Sequence, residues 1–407
     1  MAKFLIRGGM PLYGSVTVSG SKNAALPVIF AALTLFGVTE IRGLPDIGDV
    51  RVALRLVEEQ GAKITKTAAA VYINTESLVY KTPSEELVAR LRASTYLIGA
   101  CLSRFGRVEL GSYGGCAFSY RPIDYHLHIA EEMGAHLTGE TLTAPRLLAA
   151  DITLPKPSVG ATVNFLIMAA SVRGVSRLNN PATEPHIITL IELLRSAGAE
   201  ITFDGAALLV RGGTLVGGSV TVGGDPIEAG TYISASLATG GAARVLGATP
   251  CELLPLLNLL EAGGASVDTS LGITVSGKIT KPLDVVAAPH PGFPTDLQPT
   301  VAPLMAVSQG GRIFDTVWQD RYGYLSELAH LGVIYRVGDG GARIFPSTLT
   351  GGSARATDLR GGAAAIIAAL AADGYSEITA ADTVLRGYSH LVEKLTALGA
   401  DIEYSEL

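Results

Sequence analysis

The sequence predicts an α/β chain of two domains, each built from three copies of one helix-and-strand unit with pseudo-threefold symmetry. Three observations predict it. At 407 residues the chain is longer than one core usually grows, so two domains of about 200 residues are expected. Glycines that close apolar helices recur with a period near one sixth of the chain. Hydrophobic residues make up 48% and charged residues 17%, so many helices must be buried on most of their surface. The 48 glycines, with abundant alanine, supply the small side chains that let such helices approach closely.

The chain begins with Met1 to Arg7, which reads as a short strand and lacks the apolar region and cleavage site of an export signal. The first glycine series is Gly37, Gly106, Gly174, Gly240, Gly310 and Gly374, with separations of 69, 68, 66, 70 and 64 residues. Each follows a helix of small and apolar residues, such as Ser94 to Ala100, Ala161 to Ile167 and Ala363 to Ala369. None has a broad charged face, so each is expected to be buried nearly all round. The second series is Gly61, Gly134, Gly198, Gly264, Gly332 and Gly399. Each of these stops an amphipathic helix and leads into a strand. Leu391, Leu395 and Leu398 fall at i, i+4 and i+7, with Glu393 and Lys394 off the stripe, so these helices are expected on the outside. Both series recur in the same order through the whole chain, which a chance choice of glycines does not explain.

Net charge is −6, from 37 acids and 31 bases, so the surface as a whole repels nucleic acid and anionic membrane. The longest apolar stretch, around Ala24 to Val38, contains Pro27 and Thr34 and is too short to span a bilayer. Cys101, Cys116 and Cys251 are odd in number and widely spaced, which fits a reducing cytoplasm. Cys101 and Cys251 lie in apolar helical contexts and read as inert core residues.

Several motifs fail. Gly272 to Ile279 has phosphate-loop spacing but carries Ile279 where Ser or Thr must reach the metal, and Lys281-Pro282 stands where a helix must begin. That segment reads as a strand pair. No Gly-x-Ser-x-Gly occurs. His126 and His128 are two apart and do not share a helix face, so a zinc site there is not expected. No metal or cofactor motif remains, and the sequence carries no signal of oligomeric state.

Chemistry concentrates in two Gly-marked loops, Ser19-Gly20-Ser21-Lys22-Asn23 and Gly114 to Pro122, the second holding Cys116 and Arg121. Nearby cations push a thiol toward thiolate and hold a phosphate or carboxylate through charge-assisted hydrogen bonds. Seven separated segments carry a wider likeness: Gly20-Ser21-Lys22-Asn23-Ala24-Ala25-Leu26-Pro27, Leu91-Arg92-Ala93-Ser94, Gly114-Gly115-Cys116 with Arg121-Pro122-Ile123-Asp124, Ser158-Val159-Gly160-Ala161-Thr162, Phe293-Pro294-Thr295-Asp296, Asp358-Leu359-Arg360 and Arg386-Gly387-Tyr388. In this order they closely resemble the UDP-N-acetylglucosamine enolpyruvyltransferases of the enolpyruvyl transferase family.

The resemblance implies an inside-out α/β barrel architecture of two domains, each of three βαβαββ repeats, here 22–225 and 1–21 with 226–407. It implies transfer of the enolpyruvyl group of phosphoenolpyruvate to the 3-hydroxyl of UDP-N-acetylglucosamine with release of phosphate, the first committed step of peptidoglycan synthesis, by closure of two domains around both substrates. Lys22, Arg121, Arg321 and Arg386 match the positions that bind phosphoenolpyruvate, and Asp296 matches the base that takes the hydroxyl proton. Cys116 matches the mobile-loop cysteine that protonates C3, forms an adduct with phosphoenolpyruvate and is alkylated by fosfomycin; general acid and control of product release both stay open for it. Asn23, Arg92, Arg121, Pro122, Ile123, Asp124, Lys156, Ser158, Val159, Gly160 and Val317 match the nucleotide-sugar positions. Ser158 to Gly160, just before an apolar helix, suits a diphosphate, because backbone amides at a helix N-terminus point at anions. Asp358 and Arg360 match an interdomain segment read as supporting closure.

The chain departs from the family at Pro226, where Arg is usual, in Phe118-Ser119-Tyr120 after the cysteine, and in Trp318-Gln319-Asp320-Arg321-Tyr322. These departures keep two alternatives: another nucleotide acceptor such as uridine monophosphate, and a catalytically silent paralogue that binds UDP-sugars.

Overall fold

The computed structural model describes residues 2–114 and 121–406. Cys116 and its neighbours in the second Gly-marked loop lie outside the described residues. The chain folds into two compact units: one from the segments up to Ser19 and from Gly223 on, the other from the segments between Gly20 and Val222. Each has its own apolar core. No helix among the described residues is long and apolar enough to cross a membrane.

The architecture is α/β with mixed sheets. Six sheets occur among the described residues, three per unit, and each runs from edge to edge without closing into a barrel. Five share one pattern, a parallel pair at one edge followed by two antiparallel pairings. In the sheet ordered Ser353–Arg355, Tyr375–Thr379, Lys3–Arg7, Asp401–Ser405, the opening strand shows why it forms. Phe4 and Ile6 are buried while Leu5 between them is 38% exposed, the period-two alternation of a sheet with one face on a core. The sixth sheet, Arg107–Glu109, Thr141–Thr143 and His136–Thr138, is wholly antiparallel. The segment with phosphate-loop spacing forms the strand Ile273–Ser276, paired on both sides.

The helices of the first glycine series are buried as expected. In the second unit they are Lys22–Ala31, Leu97–Phe105 and Val159–Ala170; in the first, Pro226–Ala238, Gln298–Ala306 and Leu359–Ala371. The last three pack against one another. The amphipathic helices, such as Gly48–Glu59 and Pro185–Ser196, bury one face only. All twelve glycines of the two series adopt positive φ, from 69° to 129°, the left-handed backbone that closes a helix and turns the chain into the next strand. Cys101 is buried as expected, and burial pushes its thiol up to about 12. Cys251 is exposed, against expectation. It sits in the turn Pro250–Leu253, where Leu253 takes the inward position and is fully buried.

Close helix contact in the second unit depends on one glycine. Gly99 donates its N–H to Asn164 Oδ1 at 2.8 Å, and a Cβ at Gly99 would lie 2.6 Å from that oxygen. Gly99→Ala should therefore force apart Leu97–Phe105 and Val159–Ala170, at a cost of about 1–3 kcal/mol, and lower the melting midpoint by several degrees. An unchanged thermal midpoint would show that the two helices have slack at this contact.

Candidate functional site

Candidate residues gather at the N-terminal ends of the buried helices in both units. In the second unit, Ser21 caps Lys22–Ala31 by accepting from Ala24 N at 3.4 Å, which places Lys22 at the first helical position. A cation there opposes the positive end of the helix dipole. Asp49, in the first turn of Gly48–Glu59, offsets it. Its Oδ2 lies 3.3 Å from Lys22 Nζ, the two side chains being 6% and 13% exposed. Asn23 follows on the same helix.

The helix of Lys22 packs on the short 3-10 turn Arg92–Tyr96. Arg92 Nη2 donates to the carbonyl oxygens of Arg121 and Pro122, the latter at 3.2 Å. Burial, and then the like charge of Arg121, pull the Arg92 guanidinium below its ordinary value. The structure thus brings Arg92 and Arg121 together as two cations in a half-buried place. Ile123 and the exposed Asp124 lead into Asp124–Glu132.

His126, on that helix, joins this segment to the next. A Cβ on Gly160 would meet the imidazole at 2.7 Å, so the ring lies directly against the first turn of Val159–Ala170. Ser158 caps this helix through Ala161 N at 3.4 Å, and Lys156 just before it is exposed. Asn164 Oδ1 is committed to the Gly99 N–H, so its Nδ2 must face Thr95 O at 3.0 Å and His126 Nδ1 at 2.6 Å. Nδ1 is therefore the acceptor and Nε2 carries the proton. Burial, then the charge of Arg92, pull His126 down to about 4, so the ring is neutral at pH 7.

In the first unit the centre is Asp296. Its Oδ1 accepts from Arg321 Nη1 at 2.9 Å, and its Oδ2 from Arg360 Nη2 at 3.1 Å and Nε at 3.3 Å. The guanidinium side chains are 4% and 2% exposed while the carboxylate is 27% exposed. Asp296 is not the helix cap that an Asp after Pro-Thr often is, because Leu297 takes that position. Asp358 caps Leu359–Ala371 through Arg360 N and Gly361 N, which fixes Arg360 at the second position of the helix. Burial opposes the charge on Arg360, yet Asp296 and then Tyr388 hold its guanidinium above the ordinary value. Its Cζ lies 5.6 Å from the Tyr388 ring centroid, and Tyr388 OH meets Thr231 Oγ1 at 2.8 Å.

Arg321 is steered by its loop. Gln298 Nε2 donates to Arg321 O at 2.9 Å, and Tyr324 OH donates to Gln298 Oε1 at 2.7 Å. Asp315 arranges the preceding turn by accepting from Val317 N and Trp318 N at 2.9 and 2.8 Å and from Thr295 Oγ1 at 2.5 Å. Arg386, half-buried, follows the short helix Asp382–Leu385. Pro226 takes the first position of Pro226–Ala238, where a missing N–H costs nothing, and Asp225 caps that helix.

The sequence reading assigned Arg360 to support between domains; the structure places it on the Asp296 carboxylate. Asp49, Asp315, Asn164 and His126 were absent from the candidate set. An acid in a first helical turn or at a strand end is ordinary, so only Asp315, two residues before the matched Val317, had a local signal. Among the described residues no cluster of three His, Cys, Asp or Glu could hold a metal ion.

Comparison with known proteins gives one consistent answer. The EPSP synthase (3-phosphoshikimate 1-carboxyvinyltransferase) family matches residues 6–395. The UDP-N-acetylglucosamine 1-carboxyvinyltransferase 3 of Caldanaerobacter subterraneus is 39% identical over 414 aligned residues, covering 99% of each chain. A second such enzyme, from Halothermothrix orenii, is 37% identical with the same coverage. Among solved structures, the enolpyruvyl transferase NikO from Streptomyces tendae superposes with a TM-score of 0.88 at 30% identity over 99% of each chain. An EPSP synthase from Acinetobacter baumannii, at 20% identity and a TM-score of 0.74, shares the fold.

The buried neutral His126 makes the second unit sensitive to acid. Its folded value of about 4 lies below the ordinary 6.5, so stability is fully present above pH 6.5 and is lost as pH falls toward 4. The whole loss is about 3 kcal/mol. Urea unfolding of His126→Gln between pH 7 and 4 should show a flatter pH dependence than the parent; equal slopes would mean that folding leaves the titration of His126 unchanged.

Proposed function

The chain belongs to the enolpyruvyl transferase family, and from that premise we propose that Asp296, set between Arg321 and Arg360, is the base of its reaction. The enzyme transfers the enolpyruvyl group of phosphoenolpyruvate to the 3-hydroxyl of UDP-N-acetylglucosamine and releases phosphate, in peptidoglycan synthesis. The observation that carries the assignment is the Asp296 carboxylate itself: two almost fully buried guanidinium groups aim it, yet it keeps 27% exposure. The arginines fix the direction of the carboxylate, and its exposed part is where a substrate hydroxyl can approach.

As the hydroxyl oxygen bonds to C2 of phosphoenolpyruvate, its proton passes to Asp296 and the C2–C3 electron pair takes a proton at C3. Cys116 is the proposed donor of that proton and the residue that fosfomycin alkylates. Loss of a proton from C3 and cleavage of the C2–O bond then release phosphate. Phosphoenolpyruvate carries a phosphate and a carboxylate on three carbons, so Lys22, Arg121, Arg321 and Arg386 are assigned to bind it, Lys as a point charge and Arg as a fork. Asn23, Arg92, Pro122, Ile123, Asp124, Lys156, Ser158, Val159, Gly160 and Val317 are assigned to the nucleotide sugar, and Asp358 with Arg360 to support. Arg92 on the Arg121-Pro122 backbone and His126 against Gly160 support that grouping.

The shared sheet pattern and the trio of buried helices in each unit support reading each domain as three βαβαββ repeats in an inside-out α/β barrel, with domains 22–225 and 1–21 with 226–407. Cysteine usage supports a cytoplasmic location, and the charge of −6 supports small-molecule partners over nucleic acid. Full-length identity of 39% to a UDP-N-acetylglucosamine enzyme favours that acceptor over uridine monophosphate.

Phosphate release from phosphoenolpyruvate should require UDP-N-acetylglucosamine and fail with uridine monophosphate or shikimate 3-phosphate. Asp296→Asn should lower kcat by about 10²–10⁴; release with no acceptor, or undiminished turnover of that variant, would contradict the assignment. Intact-mass spectra after fosfomycin treatment should show one adduct, abolished by Cys116→Ser; an adduct on Cys251, the exposed thiol, would refute the role of Cys116.

A further inference from the structure

A second cation cluster lies at the other end of the buried helices. A cleft of about 500 Å³ in the second unit is lined by Arg104, Arg146 and Arg173, with Ser103 and Ser171 and no acidic side chain. It opens where Leu97–Phe105 and Val159–Ala170 end. Ser158 caps one end of the latter helix and Ser171 the other, so by a rise of about 1.5 Å per residue the cleft is about 20 Å from the Ser158 turn.

Arginines near helix C-termini commonly answer the negative end of the helix dipole, but that need is smaller than the charge present. Two C-termini amount to about −1 together against three guanidinium cations, which leaves about +2. None of the three arginines forms an ion pair among the described residues. Arg104 is steered by a bond to Thr75 O at 3.0 Å, and burial pulls its guanidinium below the ordinary value, so the fold carries a half-desolvated cation with no carboxylate beside it.

We infer that this cleft binds a small phosphorylated dianion, its phosphate oxygens taken by the three arginines. The volume suits anything from inorganic phosphate to a nucleoside monophosphate, and the shared chemistry is a phosphate group of charge near −2. Arg146 and Arg173 are exposed, so the binding falls with ionic strength.

The test is an amide NMR titration of the full chain with inorganic phosphate. Saturable shifts are expected at Leu102–Gly106, Arg146–Leu147 and Ser171–Arg173, separate from shifts near Lys22. In Arg146→Gln/Arg173→Gln the cleft midpoint should rise about tenfold or more, while the midpoint near Lys22 stays put. Arg104→Gln, which removes the half-desolvated cation, should weaken the cleft at least a few-fold. Uridine monophosphate that binds tenfold tighter than inorganic phosphate marks a nucleotide as the ligand, and equal midpoints mark the inorganic anion. No saturable shift in the three segments, or midpoints unchanged in both variants, overturns the inference.

Discussion

A helix with no polar face can offer water and ligands only its ends, and this constraint orders the molecule. The buried helices of both units are lined with small and apolar residues on every side. Their middles pack, as where Gly99 lies against Asn164, and their charged groups sit near the termini. Two charged candidates accordingly sit at the first or second position of a buried helix, Lys22 and Arg360. Backbone N–H groups left open at those ends add to the same positive field.

Placing cations at the positive ends of helices costs stability, and the structure shows how the cost is limited. Lys22 is met by Asp49, and Arg360 with Arg321 by Asp296. Arg92 and Arg121 share one neighbourhood, where burial and like charge act against Arg92. Pairing also restrains Asp296, whose direction the two guanidinium groups fix.

Much of this was legible in the sequence. The two glycine series marked the helix ends because left-handed backbone at a helix terminus strongly selects glycine, and all twelve positions have positive φ. Buried and amphipathic helices differ in charge pattern, which is also local. What was not legible depended on contacts distant in sequence: Arg360 reaches Asp296 across 64 positions, and Lys22 reaches Asp49 across 27. Nothing near Arg360 distinguishes a guanidinium that grips a carboxylate from one that spans two domains. Cys251 was misplaced because its apolar neighbours suggested a core, while the turn it occupies points Leu253 inward instead.

The central claim is that Asp296 and the cations around it drive addition of a hydroxyl to the enol, with protonation at C3. Solvent-deuterium incorporation tests it most directly. In heavy water with UDP-N-acetylglucosamine, mass spectra of the enolpyruvyl product and of recovered phosphoenolpyruvate should show deuterium at C3, with Asp296→Asn slowing its appearance at least about a hundredfold. Product that forms without deuterium, or exchange that proceeds equally fast in the variant, would contradict the account.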